Sequence, residues 1–224
     1  MKAAATILFA LCAARLSAQD SSRIAEAQAV LAPLIESYGV SGMETPVRAT
    51  VLKLLPAWAK TETDTAGNVW VRVGQGDPVV VFVAHLDEIG YRVDSVLDDG
   101  SLRITNQGGF FQSLFEAEPA LVHTPTGDVP GVFLPRDTGT TRHNPPPLRV
   151  NVGTTSRQAT LARGVSVGST VTMPKQFTRL AGTRATGRSM DDRVGDAAQI
   201  LALRHLDRSK LKHQVIFVFS TRVE

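Results

Sequence analysis

Apolar positions along the chain follow two rhythms, and each rhythm keeps to its own stretch. Between Ser21 and Val40, residues Ile24, Ala27, Leu31, Leu34 and Ile35 recur at three- and four-residue steps. That spacing puts them on one face of a helix. Ser21 or Ser22 can cap its start, and Gly39 suits its end. The segment GMETPVRATVLKLLPAWA repeats the scheme with Val47, Val51, Leu54 and Leu55 inward. Pro46 fits a first helical turn, whereas Pro56 breaks or bends the helix. AGNVWVRVG then alternates Val69, Val71 and Val73, as a half-buried strand does. PVVVFVAH is a continuous apolar run, which predicts a central strand covered on both faces.

From residue 88 a period of two takes over. YRVDSVLDDGSLRIT predicts a hairpin around Asp99-Gly100, and ALVHTPTGDVPGVFL a second around Gly127-Asp128. PLRVNVG and GVSVGSTVTM add short strands, and PRDTGTTRHNPPP between them is a polar, proline-rich loop. Short strands at this spacing predict a small β-barrel or sandwich over residues 88–182. The helical rhythm then returns. SMDDRVGDAAQILALRHLD carries Val194, Ala197, Ala198 and Leu201 on one stripe, and HQVIFVFS reads as a second buried strand. Residues 19–87 and 183–224 therefore belong to one α/β domain into which the β-domain is inserted. A buried parallel strand needs neighbours and helices over both faces. The elements here are too few for that, so the sheet is expected to be incomplete and the chain to be a fragment.

The opening stretch, MKAAATILFALCAARLSAQD, changes the picture of where the protein works. Lys2, the short apolar core Ala3 to Ala14 and the small residues Ser17 and Ala18 have the layout of a secretory signal. Cleavage is expected after Ala18, giving a secreted or periplasmic protein without stable membrane insertion. The single cysteine, Cys12, lies inside that segment. Any metal must then be held by His, Asp and Glu, a donor set that favours zinc, cobalt or manganese. The chain is 43% hydrophobic and 20% charged, enough to build a core and to exclude a disordered class. Its net charge is +3, with a mild cluster at Arg179, Arg184 and Arg188. No aromatic residues interleave with these arginines, so they predict a solvated basic face and no nucleic-acid surface.

Three placements carry candidate chemistry. His85 and Asp87 end the first buried strand, two residues apart and so on one side of an extended segment. The carboxyl end of such a strand faces the crevice where α/β proteins bind ligands. His85 can offer a ring nitrogen to a metal while Asp87 accepts from the other nitrogen. Asp191 and Asp192 open a helix; Ser189 to Asp192 also fits a capping box, so one aspartate can serve the cap and the other a metal. Glu224 lies just beyond the second buried strand, where a carboxylate can act as a general base. Each placement alone has an ordinary structural explanation. Together they put three groups on one edge of one sheet, the layout of a hydrolytic metal site. His123, His143, His205 and His213 are expected at the surface or at an element end. Ser41 and Ser156 lack a histidine partner. The apolar stretch GGFFQSLF, with Phe110, Phe111, Leu114 and Phe115, is either internal core or an association surface.

GVSGMETPVR, ETDTAGNVWV, VVVFVAHLDEIGYRV, GDVPGVF, NVGTTSRQATLARGVSVGSTV and GRSMDDRVG occur here in the order seen in the tetrahedral, glutamyl and deblocking aminopeptidases. The chain resembles this metallopeptidase family forty-two from about residue 28 onward. The resemblance implies an α/β zinc-exopeptidase fold: a mostly parallel sheet with helices on both faces, incomplete here, interrupted by a small inserted β-barrel used in assembly. It implies two divalent metal ions, zinc or cobalt, with His85 as a ligand, Asp87 orienting it and Asp191 bridging both ions. Glu224 falls on the first glutamate of a paired-glutamate motif, the general base. The second glutamate and a later aspartate and histidine are family ligands with no counterpart here. The implied activity is release of N-terminal residues from peptides by a homo-oligomer. The alternative is a truncated chain that is catalytically inactive, or an oligomerisation module of that family.

Overall fold

The computed structural model describes residues 21–136 and 146–224. The expected signal segment with Cys12, and His143, lie outside the described residues. Four helices and twelve strands follow one another: α1 (21–36), α2 (Thr45–Leu54), β1 (Thr61–Thr63), β2 (Val69–Val73), β3 (Val80–His85), β4 (Gly90–Val96), β5 (Leu102–Gln107), β6 (Pro119–Thr124), β7 (Gly127–Phe133), β8 (Arg149–Asn151), α3 (Arg157–Ala162), β9 (Thr170–Thr172), β10 (Thr178–Arg179), β11 (Ala185–Thr186), α4 (Met190–His205) and β12 (Val215–Ser220).

Two cores result from the two rhythms. In the first, β1, β2, β12 and β3 form a sheet in that order. β12 runs parallel to β3 with Ser220 opposite His85, while its other neighbour, β2, is antiparallel. Val69, Val71 and Val73 of β2 pack with Phe217 and Phe219 of β12 under Val30 and Leu34 of α1, Val47 and Val51 of α2, and Ala197, Ile200 and Leu203 of α4. All these strand residues share one sheet face, because alternate side chains point the same way. Among the described residues helices cover that face alone.

The second core is a closed barrel, β4-β5-β8-β7-β6-β9. Its interior holds Tyr91, Val93, Leu102, Ile104, Val122, Phe133 and Val150. Closure leaves no strand edge for pairing with another chain. Gly100 turns the first hairpin at φ 83°, in the left-handed region that glycine enters without cost. A Cβ there would also sit 2.8 Å from the Ser156 nitrogen. The second hairpin turns at Pro125 and Thr126, slightly earlier than expected, and Gly127 already belongs to β7.

Several expectations are corrected. Among the described residues β3 is not a covered central strand: it lies at the sheet edge, and Val79 to Val83 are 39–62% exposed. The stripe of α4 is rotated. Arg193, Asp196, Ala197, Ile200 and Leu203 face inward, while Val194 and Ala198 are exposed. Polar residues occupy the inner positions of the first turns, so counting apolar residues misplaces the face. Arg188 is not part of a solvated basic patch. It donates to the Met173 and Ile89 carbonyls and lies over the Phe115 ring. His123 is half-buried, held by Asp128 at 2.7 Å and Thr172 at 2.9 Å. GGFFQSLF divides: Phe110 and Phe115 pack edge-on to Tyr91, while Phe111 and Leu114 are exposed. α3 and the β10-β11 ribbon carry no periodicity long enough to be read from sequence.

Candidate metal centre

His85 ends β3, Glu224 follows β12, and Asp191 begins α4. The parallel register of β3 and β12 brings the first two to one sheet edge, and the start of α4 is laid against it. Ligand atoms of His85, Asp191 and Glu224 lie within 4.8 Å of one another, the one such cluster of three or more among the described residues. His85 Nδ1 faces the Asp87 carbonyl oxygen at 3.1 Å and Asp87 Oδ1 at 3.3 Å. With a cation on Nε2, the acceptors on that side would hold the proton on Nδ1. Nε2 lies 3.1 Å from Asp191 Oδ1. Two donors bound at about 2.1 Å to one tetrahedral zinc ion are separated by roughly 3.4 Å, close to the spacing of this pair. Asp191 is 88% exposed on its side chain. A cavity of about 290 Å³ opens beside it, lined by Glu88, Ile89, Gly109, Ser189, Met190 and Glu224 as well.

The capping box expected at Ser189 does not form. Ser189 sits at φ 62° and its hydroxyl donates to Glu88 Oε2 at 2.5 Å. Asp192 takes the capping role instead, accepting from the Gly195 amide at 3.1 Å. The two aspartates therefore divide: Asp192 serves the helix, and Asp191 projects towards His85.

The ground beneath these groups is charged and buried. Asp87 is fully buried, and its Oδ2 accepts the backbone N–H groups of Val223 and Glu224, each at 2.9 Å. Glu88 is 1% exposed and accepts from the Gly39 amide, Lys175 Nζ and the Ser189 hydroxyl. Burial raises its carboxyl pKa, but Lys175, Arg193 and Arg188 together outweigh that and hold it below the usual value. Arg193 is fully buried, and its charge faces Glu88, Asp196, Asp87 and Glu44. Asp196 lies beside it without a hydrogen bond from another described residue, and burial pushes its carboxyl well above the usual range. Glu224 is largely exposed by area, yet partial desolvation raises its pKa. His85 opposes that shift, while Asp191 and Asp87 add to it. A carboxyl raised in this way is a better proton acceptor.

Glu44, Glu88, Lys175, Arg193 and Asp196 are not singled out by the sequence. Arg193 and Asp196 do leave a trace: charged residues spaced i, i+3 on the inward face of a helix, where apolar ones belong. A larger cleft of about 630 Å³ lies between Tyr38–Thr45 and the barrel, with His123 and Asp128 in its wall, away from the His85 cluster.

An α/β sheet joined to a closed barrel thus carries one histidine and two carboxylates close together at one edge. The sequence profile of the M42 glutamyl aminopeptidase family matches residues 67–224, and the chain belongs to that family. It is 32% identical over 184 residues to the lysyl aminopeptidase of Pyrococcus furiosus, covering 77% of this chain and 53% of that one. Its fold superposes on the aminopeptidase APDkam598 of the archaeon Desulfurococcus kamchatkensis with TM-score 0.80, at 26% identity, covering 88% and 56% of the two chains. It also superposes on the Pyrococcus horikoshii TET1 peptidase, which assembles into a tetrahedron or a large octahedral shell. That match has TM-score 0.72, 30% identity and coverage of 82% and 57%. The chain spans about half the length of the curated relatives it matches.

Proposed function

We propose that the protein is a metal-dependent aminopeptidase that removes N-terminal residues from peptides. The observation that carries this reading is the convergence of His85, Asp191 and Glu224 from three separate segments. His85 through Nε2 and Asp191 through its carboxylate would hold divalent cations, zinc or cobalt, and the second oxygen of Asp191 allows it to serve two. Such cations supply Lewis acidity, polarising a carbonyl and bringing the pKa of water towards neutrality. Glu224 takes the proton of the attacking water and passes it to the leaving amine. Asp87 keeps the His85 ring in the tautomer that presents Nε2.

Assembly is part of the proposal: the barrel is the element through which copies of the chain associate, consistent with the shells formed by the Pyrococcus horikoshii relative. Export follows from the expected signal in residues 1–18, so the site of action is secreted or periplasmic. None of the described helices is long and apolar enough to cross a membrane. The mass of the exported chain tests this, and retention of the first eighteen residues overturns cleavage.

The activity is tested by release from amino-acid anilides with zinc or cobalt added and removed. Metal-dependent release is expected; its absence overturns the reading. A second reading has its own support. Among the described residues three donors gather at the site, few for two cations. The 224-residue chain would then bind metal weakly and catalyse nothing. Calorimetric titration separates the two, since two tight sites per chain exclude the second.

A further inference from the structure

Glu224 can act as a base only if its carboxylate is held where the water is, and the residues that hold its loop lie far away in sequence. After β12 the chain leaves the sheet at Thr221. Every backbone N–H from Thr221 to Glu224 is taken by a side chain from another segment. The Thr221 amide donates to Asn68 Oδ1 at 2.8 Å, and its hydroxyl donates to the Ala66 carbonyl at 3.0 Å. The Arg222 amide donates to Glu44 Oε1 at 3.1 Å. Those of Val223 and Glu224 donate to Asp87 Oδ2.

The acceptors are themselves fixed. Glu44 is 4% exposed at the start of α2 and also accepts from the Gly42 amide at 2.7 Å. Asn68 donates through Nδ2 to Asp64 Oδ2 at 2.8 Å, which turns its Oδ1 towards Thr221. Asp64 in turn accepts the amides of Ala66, Gly67 and Asn68. Arg222 adopts φ 59°, a left-handed conformation that costs a non-glycine residue about 1–2 kcal/mol and persists only where its surroundings impose it. The Glu44 carboxylate accepts the amide of that same residue. Arg193 is buried with its charge towards Glu44 and Asp87.

We propose that Glu44 and Asn68 are positioning residues for Glu224, completing with Asp87 a three-point cradle under the catalytic loop. Neither Glu44 nor Asn68 belongs to the metal-ligand cluster. Their loss should therefore change turnover and leave metal affinity in place. The inference rests on Glu224 being the base, so its test has two arms.

In the first, amide hydrogen exchange is followed in the 224-residue chain and in Glu44→Ala, Glu44→Gln and Asn68→Ala. Arg222 should lose about tenfold or more of its protection in Glu44→Ala, and Thr221 likewise in Asn68→Ala, while Glu44→Gln, which keeps an acceptor oxygen, stays near the parent. In the second, the zinc-loaded chain is assayed on amino-acid anilides. Displacing a reacting group by about 1 Å costs on the order of a hundredfold. Glu44→Ala should therefore lower kcat by about ten- to a hundredfold, with KM and zinc affinity within about twofold and with rescue by Glu44→Gln. Unchanged exchange at Arg222 in Glu44→Ala overturns the cradle. So does an unchanged kcat, or a fall in kcat and zinc affinity together. If the parent chain itself shows no metal-dependent turnover, the peptidase reading fails, and the exchange arm decides the cradle alone.

Discussion

Replacing Lys175 by methionine tests whether the charges under the site are an integral part of the fold. Lys175 and Glu88 have side chains 0% and 1% exposed, with Nζ and Oε1 2.6 Å apart. The substitution keeps the aliphatic bulk and leaves Glu88 buried without its closest cation. Breaking a buried pair from one side costs about 3–5 kcal/mol, because the remaining charge is uncompensated. Arg188 and Arg193 stay 3.8 Å from Glu88, so the low end of that range, about 3 kcal/mol, is expected. For a protein of this size each kcal/mol moves Tm by about 2–4 °C, giving a fall of roughly 6–12 °C. Thermal and urea unfolding measure it. The pH dependence gives a second readout. Burial lowers the Lys175 pKa from 10.5 to about 8, against the opposing pull of Glu88. Between those values the unfolded chain binds more protons than the folded one. The contribution of this group to stability therefore rises with pH across that window. Below about 8 both states are protonated and the slope vanishes. Lys175→Met should lack the rise. A loss below about 1 kcal/mol, the scale of an exposed pair such as Arg157–Asp98, would refute the argument, as would an identical pH profile.

On the proposed metal role, zinc should raise Tm and Asp191→Asn should abolish that rise, leaving the metal-free Tm within about 2 °C because the side chain is 88% exposed; differential scanning fluorimetry reads both. Phe115→Ala should cost about 3–5 kcal/mol, because its ring packs with Tyr91, Phe110 and Phe133 in the barrel core. Phe111→Ala, at an 80% exposed position, should stay within about 0.5 kcal/mol in urea unfolding. Among the described residues β3 has no partner on its outer edge, and Val81 and Val83 are at least half exposed. Val81→Lys should reduce concentration-dependent self-association of the chain in sedimentation velocity, and equal association in both proteins would show that the edge is not the contact.

The elements most legible in the sequence are those whose burial is apolar and regular. Val69, Val71 and Val73 alternate in the sequence and are buried in the structure. The barrel hairpins announce themselves by alternation around Asp99-Gly100. The helix at Met190 is legible as a helix but not in its facing, since Arg193 and Asp196 fill positions where periodicity looks for apolar side chains. The valine run before His85 misleads for a related reason. Composition reports how much cover a strand is suited to, not how much it has, and among the described residues β3 has a neighbour on one side only.

The same distinction separates the parts of the site that sequence reveals from those it hides. His85, Asp191 and Glu224 are visible because each is a chemically able residue at the end of an element, and element ends can be counted along a chain. Glu44 and Asn68 are invisible to that logic. Their partners are backbone amides 178 and 153 residues away, and a backbone amide has no letter in the sequence. Yet they come from GMETPVR and AGNVWV, stretches without a metal donor in the cluster. Holding the loop of Glu224 gives these segments a physical reason to keep an acid and an amide where a helix cap and a turn alone would accept many residues. A motif outside the donor cluster is thus best searched for what it anchors, and here the anchor points lead to the loop of Glu224.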